Sequence, residues 1–140
     1  MDFAAIHHEL ISQILSDLKR EFREKKSISR ATFAELESVF HGQLQSALSL
    51  VDRKRVKKVT CTKGRVVFQI VGETRDVYTC LPTSDFCCCY SYLHQVIRKQ
   101  EVPMCKHVLA ARLAEALGIY DTVQCSDETL TLMLRSMISS

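Results

Sequence analysis

Two short pairs of cysteine and histidine constrain this chain more than any other feature. Cys87-Cys88-Cys89 is followed by fifteen residues and then by Cys105-Lys106-His107. The pattern C-x-C…C-x-H offers three thiolates and one imidazole, a common tetrahedral ligand set for zinc. Each pair closes a tight chelate, and the ion between them ties two distant segments together. An extended segment alternates its side chains, so Cys87 and Cys89 point one way and Cys88 the other. Cys87, Cys89, Cys105 and His107 are therefore the expected ligands of one structural zinc. An isolated cysteine is more often a small buried hydrophobe, but four candidates in two short pairs favour metal. If all four places are filled by protein, no position is left for water, whereas catalytic zinc keeps one open. The deaminase H-x-E is also missing from these pairs.

Cysteine usage supports the same reading. The chain has seven cysteines in 140 residues. Its start, MDFAAIHHELISQIL, carries acids and histidines where a signal peptide has a basic stretch. No apolar run approaches the ~20 residues needed to span a membrane. An intracellular chain with reduced thiols is expected, and there clustered cysteines mean metal or catalysis before disulfides.

Hydrophobic periodicity predicts three N-terminal helices. In residues 3 to 24, Ile6, Leu10, Ile14, Leu18 and Phe22 recur every four residues, with Ile11 and Leu15 widening the stripe. A second helix starts near Ser29 and carries Phe33, Leu36, Val39 and Phe40, with Gly42 as its stop. A third covers roughly 43 to 51. The pattern then changes to alternation. Residues 56 to 61, 65 to 71 and 77 to 81 read as a three-stranded antiparallel meander, turning at Lys63-Gly64 and between Gly72 and Asp76. Residues 90 to 99 read as a helix broken by Pro103. Lys106 to Leu117 is a helix closed by Gly118, and Ser126 caps a last one. The expected fold is α+β: N-terminal helices, a small antiparallel β-meander, the zinc site and C-terminal helices. Residues 1–52 form the helical region, 53–118 the zinc module and 119–140 the C-terminal helix.

The finger resembles the SWIM zinc finger, and the likeness extends beyond it. The runs SALSLVDRKRVKKVTCTKGRVVFQIVG, VYTCLPTSDFCCCY and VPMCKHVLAARL are similar to the Shu-two family of SWIM-domain proteins, subunits of Shu-type recombination mediators. The resemblance covers about residues 46 to 117 well and the terminal helices loosely. It implies four zinc ligands at Cys87, Cys89, Cys105 and His107. It also implies a RecA-like recombinase paralog as partner, a nuclear location, and assistance to homologous recombination through recombinase filaments on single-stranded DNA. Cys88 and Tyr90 depart from the family pattern, whose members often have proline after the second ligand.

Other features fit blander explanations. Arg53, Lys54, Arg55, Lys57 and Lys58 place five cations in a seven-residue run. With Lys63 and Arg65 they are candidates for phosphate contact, though a solvated helix end explains them as well. The net charge of +3 permits a nucleic-acid partner without requiring one. Cys61 and Cys80 are expected as buried thiols, and Tyr78 and Phe68 in the meander core. The two terminal helices carry more apolar residues than one face needs, which suggests a partner surface in at least one of them. A cysteine nucleophile with His107 as base finds no supporting nucleophile elbow. A free-standing DNA-binding finger is the alternative to the subunit reading.

Overall fold

A computed structural model describes residues 3–72, 74–81, 86–87 and 104–139, with the side chains of 3–8, 86 and 137–139 excepted. Three helices come first: α1 (Phe3–Lys25), α2 (Arg30–Phe40) and α3 (Gly42–Asp52). The strands β1 (Val56–Cys61), β2 (Val66–Val71), β3 (Val77–Leu81) and β4 (Phe86–Cys87) follow. Then come α4 (Lys106–Leu117), β5 (Asp121–Cys125) and α5 (Asp127–Ser139). The fold is α+β. The helix expected at 90 to 99, Cys88 and Cys89 lie outside the described residues.

The apolar stripe of α1 keeps most of its expected residues and loses Leu10. Ile11, Ile14, Leu15 and Leu18 are buried, whereas Leu10 is 48% exposed. A strict spacing of four advances about 40° per repeat around a helix of 3.6 residues per turn. The i, i+3, i+4, i+7 set stays on one side and faces the core instead.

Helix α2 begins as read. The Ser29 hydroxyl accepts from the Thr32 N–H at 3.2 Å, which caps the helix. The Glu21 carboxylate on α1 accepts from the Thr32 hydroxyl and from the Ser29 N–H, the latter at 2.6 Å. The Thr32 hydroxyl first, then the Ser29 side chain and N–H, hold the Glu21 carboxyl below its ordinary value of 4.5. A carboxyl lowered in the folded state contributes stability above its unfolded pKa and loses it as pH falls through the folded one. The chain should therefore lose stability on acidification below pH 4.5, and Glu21→Gln should flatten that part of a stability–pH curve. Ser29→Ala should cost about 1 kcal/mol in urea unfolding through loss of the cap.

One turn differs from expectation. The stop of α2 is His41, at φ +51°, and Gly42 opens α3 instead. By contrast, Gly64 at φ +82° and Gly118 at φ +70° stand where the β1–β2 turn and the end of α4 require a left-handed residue.

The sheet is larger than a meander. Its order is β4-β3-β2-β1-β5. The β1–β2–β3 meander is present and antiparallel, with Val59 opposite Val67 and Phe68 opposite Cys80. To it are added β4, antiparallel to β3, and β5, parallel to β1. The meander is thus as expected, and the added β5 makes the whole sheet mixed. Residues 121 to 125 carry a single aliphatic residue, Val123, and no amphipathic alternation, so nothing local marks them as a strand. Pairing with β1 makes them one.

The sheet separates two packed layers. Phe68, Ile70, Val56 and Cys80 join the helical core with α1, α2, α3 and α4. Val59, Cys61 and Val67 face the other way and are covered by Leu130 of α5, with Met133 and Leu134 beside it. Helix α4 lies at the centre of the first layer. His107, Val108, Leu109, Ala110, Ala111, Leu113 and Ala114 are all buried, more than one face can hold. Its alanines suit close contact with α1 and α3, which both pack against it. Each fully buried leucine here, such as Leu109 or Leu113, stabilises the fold by roughly 1.5–3 kcal/mol. Helix α5 is tied at its start: Asp127 accepts from the Lys63 N–H at 3.1 Å, and the Cys61 thiol also bonds to it. The apolar surplus of α5 is partly unburied, with Leu132 64% exposed. Among the described residues no helix is long and apolar enough to cross a membrane.

Candidate metal centre

The centre forms where the edge of the sheet meets the start of α4. Strand β4 supplies Cys87. Cys105 occupies the N-cap position of α4, in extended conformation, and its side chain makes no capping hydrogen bond. His107 follows in the first turn. The Cys87, Cys105 and His107 donor atoms all lie within 4.8 Å of one another. The Cys87 Sγ stands 3.9 Å from His107 Nδ1. All three side chains are buried, and His107 is the one polar side chain in the buried set among the described residues.

These residues fit a metal ion. A tetrahedral zinc with bonds of about 2.3 Å to sulfur and 2.0–2.1 Å to nitrogen separates its donors by roughly 3.5–3.8 Å. The Cys87–His107 spacing of 3.9 Å is close to that, and the whole set lies within 4.8 Å. Burial of two thiols and an imidazole together gives little stability on its own terms, because polar groups out of water need partners. A shared cation answers that need for all three. The N-terminus of α4 adds a positive dipole end that favours thiolates beside it. Cys89, the expected fourth donor, lies outside the described residues.

Two further residues stand at the centre, both on the face of β3 turned toward α4. Tyr78 stacks on the His107 imidazole, with ring centroids 4.0 Å apart and planes 20° from parallel. Cys80, two residues on, brings its thiol 3.3 Å from Cys87 Sγ. Both are indirect supports of the kind that orient ligands. Gly72 leaves room for Tyr78: a Cβ there would stand 3.0 Å from the tyrosine ring. The sequence marked Tyr78 and Cys80 only as core. Their period-two spacing was the available signal, since it puts them on one face, but their nearness to His107 and Cys87 follows from strand pairing.

Both relatives and fold now bear on the chain together. It is 37% identical to the zebrafish (Danio rerio) zinc finger SWIM domain-containing protein 7 over 87% of this chain and 87% of that protein. The mouse (Mus musculus) protein of the same name is 33% identical over 90% of this chain and 83% of its own length. The human (Homo sapiens) one is 29% identical over 94% of both.

The chain belongs to the zinc finger SWIM domain-containing protein 7 family.

No model of a known protein family matches the chain, and no solved structure matches it significantly. As a member of the zinc finger SWIM domain-containing protein 7 family it is a zinc-finger protein, and its Cys87–Cys105–His107 cluster can hold a metal.

The basic run is distributed rather than gathered. Arg53 and Lys54 are exposed at the turn after α3. Arg55 is half-buried and donates to the Gly72 carbonyl at 3.3 Å. Lys57 and Lys58 are neighbours on a strand and so point to opposite faces. Lys57 is exposed, while Lys58 lies 5.5 Å above the Tyr120 ring. Lys63 and Arg65 stand at the far end of β1, roughly 17 Å along the strand from Val56. They line a groove that also contains Asp127 and Glu128. Arg53 and Lys54 are the two cations of the run that share an exposed turn.

Proposed function

We propose that the chain is a non-catalytic zinc-binding subunit of a Shu-type complex, with a RecA-like recombinase paralog as its partner. In this role it assists homologous recombination and DNA repair in the nucleus by promoting or stabilising recombinase filaments. One structural zinc is held by Cys87, Cys105, His107 and Cys89. The observation that carries the reading is the buried donor cluster at the junction of β4 and α4, in a chain of the SWIM-domain family. Bound there, the ion supplies cross-linking of sheet to helix. Four protein donors leave no place for a reacting water, which supports a structural role over a catalytic one. The sequence carries no Walker A loop, so ATP-linked activity belongs to a partner.

The alternative is a free-standing DNA-binding finger. The scatter of Arg55, Lys57 and Lys58 over different surfaces favours the subunit, because phosphate tracking needs cations in one row. Within the basic run, Arg53 and Lys54 are the exposed pair best placed for any DNA contact by the chain alone.

Elemental analysis of the purified chain should give one zinc per molecule, and a folded, zinc-free chain would refute the metal assignment. Co-expression with a RecA-like paralog should give a co-purifying pair. A salt titration with single-stranded DNA separates the alternatives: binding that is tight without a partner would favour the free-standing finger.

A further inference from the structure

Outside the four expected ligands, the feature with most chemical content is Cys80. It is fully buried, on β3, and directly opposite Cys87 in the β3–β4 ladder. Directly opposed residues of antiparallel strands have Cα atoms roughly 4.5–5.5 Å apart, within the range of about 4.4–6.8 Å that a disulfide spans. The two sulfurs are already 3.3 Å apart, so bonding at ~2.05 Å needs a closure of only about 1.2 Å. Among the described residues β4 is two residues long and outermost in the sheet. Its ladder can open locally at far lower cost than the core, which admits a water-sized oxidant to Cys87.

We infer that Cys80 and Cys87 form a redox-modification site, in which a hydroperoxide converts the pair to a cross-strand disulfide and withdraws Cys87 from the metal set. The inference deepens the proposed zinc reading and rests on it for its consequence. The step balances as follows. The Cys87 thiolate attacks one oxygen of hydrogen peroxide; an S–O bond forms, the O–O bond breaks, and hydroxide leaves. The Cys80 sulfur then attacks the Cys87 sulfenic sulfur. The S–S bond forms, the S–O bond breaks, and the departing hydroxide takes the Cys80 proton as water. Two electrons pass from the sulfurs to the peroxide. The disulfide needs no rearrangement of strand order, because the register already opposes the two residues. It leaves Cys105 and His107 without the thiolate that joins α4 to the sheet edge, so oxidation loosens the metal at the point where it links two elements. A reductant of the thiol class reverses it.

The test uses the full zinc-loaded chain, with a metal-free reduced sample in parallel. Both are titrated with hydrogen peroxide while a chromogenic zinc chelator reads release. Remaining thiols are alkylated, and chymotrypsin cuts after Phe86, separating Cys80 from Cys87 unless a disulfide joins them; fragmentation of a joined peptide assigns the link to Cys87 rather than Cys88 or Cys89. Mass spectrometry should find the joined peptide in both samples, rising in step with zinc release in the loaded one. Cys80→Ala, shown folded by circular dichroism and loaded with zinc, should release it about fivefold more slowly, because Cys87 has lost the resolving thiol opposite it. Should that variant fail to fold, peptide mapping of the unsubstituted chain decides alone. Cys80 that stays alkylatable while zinc leaves would overturn the inference, as would unchanged release from the folded variant. A starting zinc content of zero would overturn the metal reading instead, and the joined peptide in the metal-free sample would still report on the thiol pair.

Discussion

Stripping the metal from the folded chain should lower its melting temperature by about 10–15 °C. A ligand that binds only the folded state stabilises it by RT ln(1 + [L]/Kd), or about 4 kcal/mol at a free concentration a thousandfold above Kd. For a chain of 140 residues, each kcal/mol moves the midpoint by roughly 3–4 °C. The physical cause is specific to this architecture. Cys87 belongs to β4, among the described residues a strand of two residues at the sheet edge. Cys105 and His107 open α4, the central helix. Without the ion, three buried donors face one another with no shared cation, and the edge strand loses its attachment to the helix. Replacing Cys105 by serine should reproduce the chelator's effect, because a neutral hydroxyl is a poor zinc ligand beside thiolates. The measurement is calorimetry with and without a high-affinity chelator. A midpoint unchanged by complete metal removal would show that the cluster contributes nothing to the fold.

Phe68→Ala should destabilise the chain by about 3–5 kcal/mol, read as a shift in the urea midpoint at nearly constant slope. Phe68 is 1% exposed and faces the helical core from the centre of the sheet. Its ring meets Tyr120 edge-on, with centroids 6.2 Å apart and planes at 81°, a geometry worth roughly 0.5–1.5 kcal/mol beyond burial. Tyr120 in turn lies under the Lys58 ammonium, so truncation leaves a void and loosens the segment between α4 and β5. Chains of this size typically hold only about 5–15 kcal/mol in total. A cost of this order takes a large fraction of that and should lower soluble yield as well. A shift corresponding to less than about 1 kcal/mol would mean that the core collapses into the space.

The two effects differ in kind, which makes them separable. Metal removal acts at the edge and should leave α1, α2 and their Glu21–Thr32 link intact. The Phe68 change acts at the centre of the sheet and should be cooperative across the helical layer. Hydrogen exchange on both samples distinguishes local opening from global loss.

What the sequence by itself determined is whatever depends on near neighbours in the chain. The change of period that marks five helices and three strands among the described residues is local, and so are the Ser29 and Ser126 caps, each a serine accepting from an N–H three residues on. The turn at Gly64 and the end at Gly118 needed a residue free to adopt positive φ. The C-x-C and C-x-H spacings belong to the same class, and they located Cys87, Cys105 and His107 before any fold was known. Tertiary structure alone decided the rest, because it depends on pairing between segments far apart. Strand β5 exists through parallel register with β1, Cys61 opposite Cys125, not through any preference in its own five residues. The basic run looked continuous, but strand alternation and the Gly72 carbonyl dispersed it. Leu10 dropped out of the α1 stripe because α4 packs on the side of Ile11 and Leu18. Tyr78 and Cys80 reached the metal centre because β3 pairs with β4 and packs beneath α4. Residue chemistry named the candidate ligands. Register and helix packing chose what surrounds them.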